Sequence, residues 1–232
     1  MSVSAALSPM LAVIRARTLS WAAIAVGILV GYYVLQLAAV SFGLWQLPNY
    51  FVWYDYIGNV QRIFAGTPSS SDALKIMQDE WLIETGHKSY AYGNGVALWS
   101  LNVQPMRILQ ILMAGGLIAA CALMLRSGRQ TMISRQRAVR FSCAALAGLG
   151  AAMVAVGNAT LSWVVACLSP SWIATLHMIG LDANFVDSIE PYGAAVTFIG
   201  FVFLTAGSVG VSASLSDAAH IGHRFSKHAA QG

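Results

Sequence analysis

Four stretches of the chain contain no charged residue and are long enough to cross a hydrocarbon core: Leu19–Trp45, Ile108–Leu125, Phe141–Leu168 and Tyr192–Leu215. About 20 apolar residues in a helix suffice for that crossing. In lipid each backbone N–H and C=O must be paired within the protein, so spans are helices or closed barrels, and barrel strands are shorter and alternate. The pattern therefore predicts an all-α membrane protein with transmembrane helices over 19–45, 108–125, 141–168 and 192–215. Arg15 and Arg17 precede the first span as they would a secretory signal. The apolar run exceeds the roughly 7–15-residue core of a cleaved signal, which predicts a retained signal-anchor.

Between the spans the pattern shortens and turns amphipathic. Residues 46–107 follow and extend an aromatic cluster, Trp45, Tyr50, Phe51, Trp53, Tyr54 and Tyr56. Trp and Tyr favour the headgroup level, so the plain expectation is an aromatic belt with a helix lying on the membrane. The sharper one is a platform that stacks a ligand or docks a partner. A second helix is predicted over Asp72–Thr85, with Ser71 as its cap, Asp72 at its positive end and Gly86 as its stop. Leu74, Met77, Trp81 and Leu82 form its apolar face. His87–Asn102, with Gly93 and Gly95, reads as a loop or short hairpin. In residues 169–191, Ser169 and Pro170 suit a helix start and Gly180 a stop, with Trp172, Ile173, Leu176 and Ile179 as the stripe.

Charge sets the orientation. The segments 1–18, 126–140 and 216–232 hold nine basic residues against one acid, Asp217. The other set, 46–107 and 169–191, holds Arg62, Lys75, Lys88 and Arg107 against eight acids. The positive-inside rule then predicts a cytoplasmic N-terminus, a basic cytoplasmic loop over 126–140, a cytoplasmic tail over 216–232 and two external loops. Composition agrees: only 9% of residues are charged, against about a quarter in a soluble domain. The net charge of +4 reads as a topology signal beside anionic lipid rather than a nucleic-acid patch. A multi-pass protein of a bacterial-type cytoplasmic membrane is expected.

Candidate chemistry is sparse. No span carries an ionisable residue well inside it, which argues against a proton-coupled pump. None of the five histidines lies where a span would offer an axial haem ligand. No cofactor is supported. Gln36, Asn158 and Thr160 are the polar residues at membrane depth, read as bonds to neighbouring helices or the lining of a small cavity. Cys121, Cys143 and Cys167 read as small apolar fillers. Glu80, Glu84 and His87 would share one helical face at i, i+4 and i+7, and Glu84-Thr85-Gly86-His87 has the E-x-x-H spacing of di-iron carboxylate sites. A solvated acidic face competes with that metal reading, and Gly86 disfavours the required helix. Gly193, Gly200, Gly207 and Gly210 give the fourth span a seam of small residues suited to close helix packing, facing small residues of the second and third spans. Self-association through this seam is the rival reading.

From Leu123 onward the layout resembles that of an uncharacterised family of small four-helix bacterial membrane proteins. The resemblance rests on Arg126-Ser127-Gly128-Arg129, Arg135-Gln136-Arg137-Ala138-Val139-Arg140 and Gly148-Leu149-Gly150. It covers less than half of the chain and implies topology only. The leading functional expectation is a non-catalytic membrane subunit or accessory protein that binds or organises other membrane proteins. A small-molecule or lipid-handling carrier or channel is the alternative, and a metal or redox membrane enzyme the third.

Overall fold

The computed structural model describes residues 3–93, 95–127, 134–160 and 192–229. Their elements are α1 (Val3–Ala16), α2 (Thr18–Gly43), β1 (Tyr50–Trp53), α3 (Tyr56–Gly66), α4 (Ser70–Asp79), β2 (Ile83–Ser89), a 3₁₀ turn at Tyr90–Tyr92, β3 (Val96–Val103), α5 (Pro105–Ser127), α6 (Ser134–Thr160) and α7 (Gly193–Ala229). Four segments are helical, long and apolar enough to cross a membrane: Thr18–Gly43, Pro105–Ser127, Ala138–Ala159 and Gly193–Leu215. The chain is a multi-pass membrane protein. The short helix expected within 169–191, the third span beyond Thr160 and Cys167 lie outside the described residues.

Two expectations need correction. The fold is not all-α, because β1, β2 and β3 form an antiparallel meander in the order β1-β2-β3 between the first two spans. The helix expected over Asp72–Thr85 runs instead from Ser70 to Asp79, with Ser69 rather than Ser71 at its N-cap. Its end has an electrostatic cause: Asp79 and Glu80 stand at the negative pole of the helix, where acids are unfavourable. Beyond them Ile83 and Thr85 are β-branched, and cross-strand pairing with β1 and β3 takes them into the sheet. The aromatic cluster is divided in the same way, with Tyr50 and Trp53 on β1 and Tyr56 opening α3.

The residues fall into two compact units, 1–28 with 112–155 and 196–232, and 29–111 with 156–195. In the first, small residues let backbones approach. A Cβ on Gly200 would stand 2.7 Å from the Val154 amide nitrogen and 2.8 Å from the Gly150 carbonyl oxygen. Gly150 faces back toward the Gly200 carbonyl, and Gly207 meets Ala147 and the Cys143 carbonyl. With no side chain between them, α6 and α7 touch backbone to backbone, as close-packed membrane helices do. Gly115 and Gly116 of α5, expected to face the later spans, pack instead on Ala25 and Trp21 of α2, and Trp21 Nε1 donates to the Gly116 carbonyl at 2.8 Å. Arg140, which the sequence offered only as a topology signal, is buried and donates from Nε to Ser214 Oγ at 3.0 Å. Pro9 lies inside α1 and interrupts its hydrogen-bond ladder; the neighbouring Met10 amide donates to Ser212 Oγ of α7 at 3.2 Å.

In the second unit, Trp99 and Leu101 of β3 form a core with Val40 of α2, and Leu37 and Leu98 pack against it. The sheet is thereby seated on the last turns of α2. That helix closes with two bonds of a Schellman motif, from Gln46 N to the Ser41 carbonyl and from Trp45 N to the Phe42 carbonyl. The left-handed position of such a motif usually takes glycine. Here it holds Trp45 at φ +54°, with its side chain 90% exposed.

Candidate functional site

Strand alternation gives the sheet two chemically distinct faces. On one, Val52 pairs with Glu84 and Glu84 with Asn102, while Tyr50 pairs with Gly86 and Gly86 with Ser100. On the other, Phe51, Thr85 and Leu101 form one cross-strand row and Trp53, Ile83 and Val103 the next.

The polar face centres on Glu84. Its Oε1 accepts from the Tyr50 hydroxyl at 2.7 Å, and its Oε2 accepts from the Tyr54 hydroxyl. Lys88 lies over the Tyr50 ring with Nζ 4.1 Å from the centroid, and Tyr54 meets Trp81 edge to face at 6.0 Å. Burial, followed by the hydrogen bond to Glu84 and its charge, holds the Tyr50 hydroxyl far above its usual pKa, with a smaller push from Tyr54; a Ser100 hydrogen bond opposes this in part. The same causes, with the charge of Glu80 added, push Tyr54 up to about 12.

This cluster is a clasp between β1 and β2. Because both tyrosine values are raised above the ordinary 10.0, the stability they lend is complete below pH 10 and disappears as pH rises through the raised values. Ultraviolet titration should show the Tyr50 and Tyr54 phenols resisting ionisation until about pH 12, with loosening of the sheet as they ionise. In Tyr50→Phe/Tyr54→Phe the late phase should lose the amplitude of two phenols, together with about 1 kcal/mol of stability per hydroxyl. Normal titration of every tyrosine would contradict the clasp.

The expected metal cluster does not assemble. Glu84 and His87 lie three apart on a strand, which puts them on opposite faces. Glu80 accepts from Asn59 Nδ2 at 2.6 Å, and His87 Nδ1 lies 2.7 Å from the Leu47 carbonyl oxygen. Among the described residues no three His, Cys, Asp or Glu side chains converge on a possible metal position.

The apolar face is divided. Its β3 side is covered by α2, while on β1 Phe51 is 62% and Trp53 65% exposed. Leu47 and Ile57 beside the strand are exposed as well. β1 is the outer strand of the meander, with no strand on its far side among the described residues. Phe51 and Trp53 project from the face that rests on α2.

Of the polar residues expected at membrane depth, Gln36 is buried on α2 and Asn158 is fully buried on α6; Thr160 ends α6, and its side chain lies outside those described. Gly200 and Gly207 lie in the α6 contact and Gly210 against Cys143, while Gly193 opens α7 as a buried residue. Not foreseen were Tyr33, Trp99, Gln104 and Arg107. The signal for Arg107 was available, since a basic residue stands at the head of a span in an otherwise acidic segment.

No family model, curated protein or solved structure matches the chain.

Proposed function

We propose that the chain is a non-catalytic subunit of a membrane assembly, with its N- and C-termini on the cytoplasmic side of a bacterial-type inner membrane. Its sheet domain then lies outside, docking a second membrane protein on β1. The observation that carries this reading is the pair Phe51 and Trp53, exposed on an edge strand on the same face of the sheet that rests on α2. Exposed aromatic patches of this kind mark interaction sites, and aromatic anchors dominate the energetics of interfaces. The unpaired edge of β1 adds main-chain donors and acceptors to the same surface. The bias of basic residues toward 1–18, 126–140 and 216–232 supports the orientation. Engagement of both Glu84 oxygens by tyrosines favours an architectural role for the polar face.

A photo-crosslinking residue at position 51 or 53, introduced in intact cells, tests the proposal. It should yield one discrete protein adduct, whereas the same group at Lys75, on exposed α4, should yield none. Phe51→Ser/Trp53→Ser should weaken retention of that partner after mild extraction by about 2 kcal/mol or more, roughly thirtyfold. Adducts with lipid alone would refute the docking role.

A further inference from the structure

Tyr50, Phe51 and Trp53 of the aromatic cluster enter β1, Tyr54 the clasp and Tyr56 α3, whereas Trp45 stays at the end of α2. It lies two residues beyond the last residue of that helix, and its side chain is 90% exposed. It is also the only non-glycine residue with a positive φ among those described, at +54°. A side chain in the left-handed region crowds the following carbonyl, which is why helices often end there on glycine. Trp45 therefore combines a backbone cost with a large ring in the open. With the ring so exposed, the described residues offset neither.

The surroundings of that ring follow from α2 itself. This helix is one of the four spans, and its exposed Val30, Val34 and Leu35 line the side that it turns to lipid. The exposed apolar stripe runs on through Phe42, one turn before Trp45, and beyond it to Leu47. The 26 residues of α2 measure about 39 Å at a rise of roughly 1.5 Å each. That exceeds a hydrocarbon core of about 30 Å and approaches the roughly 40–45 Å of core plus headgroup layers. The last turn thus reaches the headgroup level, where an indole meets apolar carbon on one side and hydrogen-bond acceptors on the other. The lipid contact of α2 continues onto Trp45 without a break.

From Trp45 to β1 the chain is pinned at successive points. Gln46 N donates to the Ser41 carbonyl at 3.0 Å, the Leu47 carbonyl oxygen lies 2.7 Å from His87 Nδ1, and Asn49 N donates to the Gly86 carbonyl at 2.7 Å. The Asn49 side chain then imitates a neighbouring strand. Its Oδ1 accepts from Lys88 N at 2.8 Å, and its Nδ2 donates to the Lys88 carbonyl at 2.9 Å. A displacement of Trp45 is thereby passed to β2.

We infer that Trp45 is a bilayer anchor: its indole is held at the headgroup level and, through the pinned linker, fixes the height of the sheet relative to the membrane. Contact with lipid offsets the backbone cost that the protein leaves open. The anchor acts whatever β1 docks, so it stands independently of that reading.

The test uses the full chain in phosphatidylcholine nanodiscs with no other protein present. Among seven tryptophans, the signal of Trp45 is isolated as the difference between the native chain and Trp45→Phe. Bromines placed near the head of the acyl chains should quench that signal severalfold more than bromines near the chain ends or iodide in the water. Dominant quenching by iodide would put the ring in solvent, and dominant quenching by the deep bromines would put it in the core; either would overturn the anchor. Trp45→Gly supplies an independent sign. Glycine suits the left-handed position, so if Trp45 only capped α2, this change would slow amide exchange at residues 44–47. Loss of an anchor should instead raise exchange there severalfold. Slower or unchanged exchange would overturn the inference as well.

Discussion

Gly200→Leu is expected to separate α6 from α7 and to destabilise the protein by about 3 kcal/mol or more. The first added carbon alone would meet the Val154 nitrogen at 2.7 Å, the Gly150 oxygen at 2.8 Å and Met153 Cβ at 2.9 Å. Two of these are backbone atoms, which cannot step aside as a flexible side chain can. The helices must move apart, losing close contacts along the seam, in a solvent that supplies no hydrophobic force to close it again. Overpacking alone typically costs 1–3 kcal/mol, and loss of the Gly207 and Gly210 contacts adds to it. Gly148→Leu is the matched control: it lies on the same helix as Gly150, but nothing stands within 4 Å of its added carbon. Thermal unfolding in detergent should therefore show a large fall for position 200 and almost none for 148. Equal midpoints would remove the seam from the account.

Gly86→Val should have a comparable effect on the sheet. A Cβ there would strike the Trp99 carbonyl and approach Ser100 Cα to 2.7 Å. Glycine inside a strand often marks a close backbone approach, and here it lets β2 lie tightly against β3. Valine would force the two apart and lift Trp99 from its seat on Val40, at about 3 kcal/mol. Tryptophan fluorescence should shift to the red and the sheet should lose protection from amide exchange. Thr85→Val, one residue away, keeps its β-branched shape and gives up only the bond from Oγ1 to the Tyr50 carbonyl, about 1 kcal/mol. If Gly86→Val retains a protected, blue-shifted Trp99, the close approach is not needed.

The spans were readable because lipid imposes a strict rule: a long uncharged run leaves the backbone few alternatives to a helix. The seven-residue spacing of Gly193, Gly200 and Gly207 was equally visible. Its counterpart on α6 was not, since Gly148 and Gly150 look alike in sequence and only their angular positions place one in the contact and the other in the open. The sheet was harder still. Leu74, Met77 and Trp81 carry a helical period across a boundary that Asp79 and Glu80 mark by charge alone. Gly86 read naturally as a helix stop, though an isolated glycine beside Ile83 and Thr85 equally suits a strand. The carboxylate–histidine spacing drew its force from the assumed helix; in a strand the same interval separates the two side chains.

The bond from Met10 to Ser212 also constrains the order of assembly. It joins residues 202 positions apart, so α1 leaves the ribosome long before α7 has been made. Until then the amide beside Pro9 has no protein oxygen of this kind to meet. The contact between α1 and α7 therefore waits on the synthesis of α7, and α1 must be held until then by something other than Ser212.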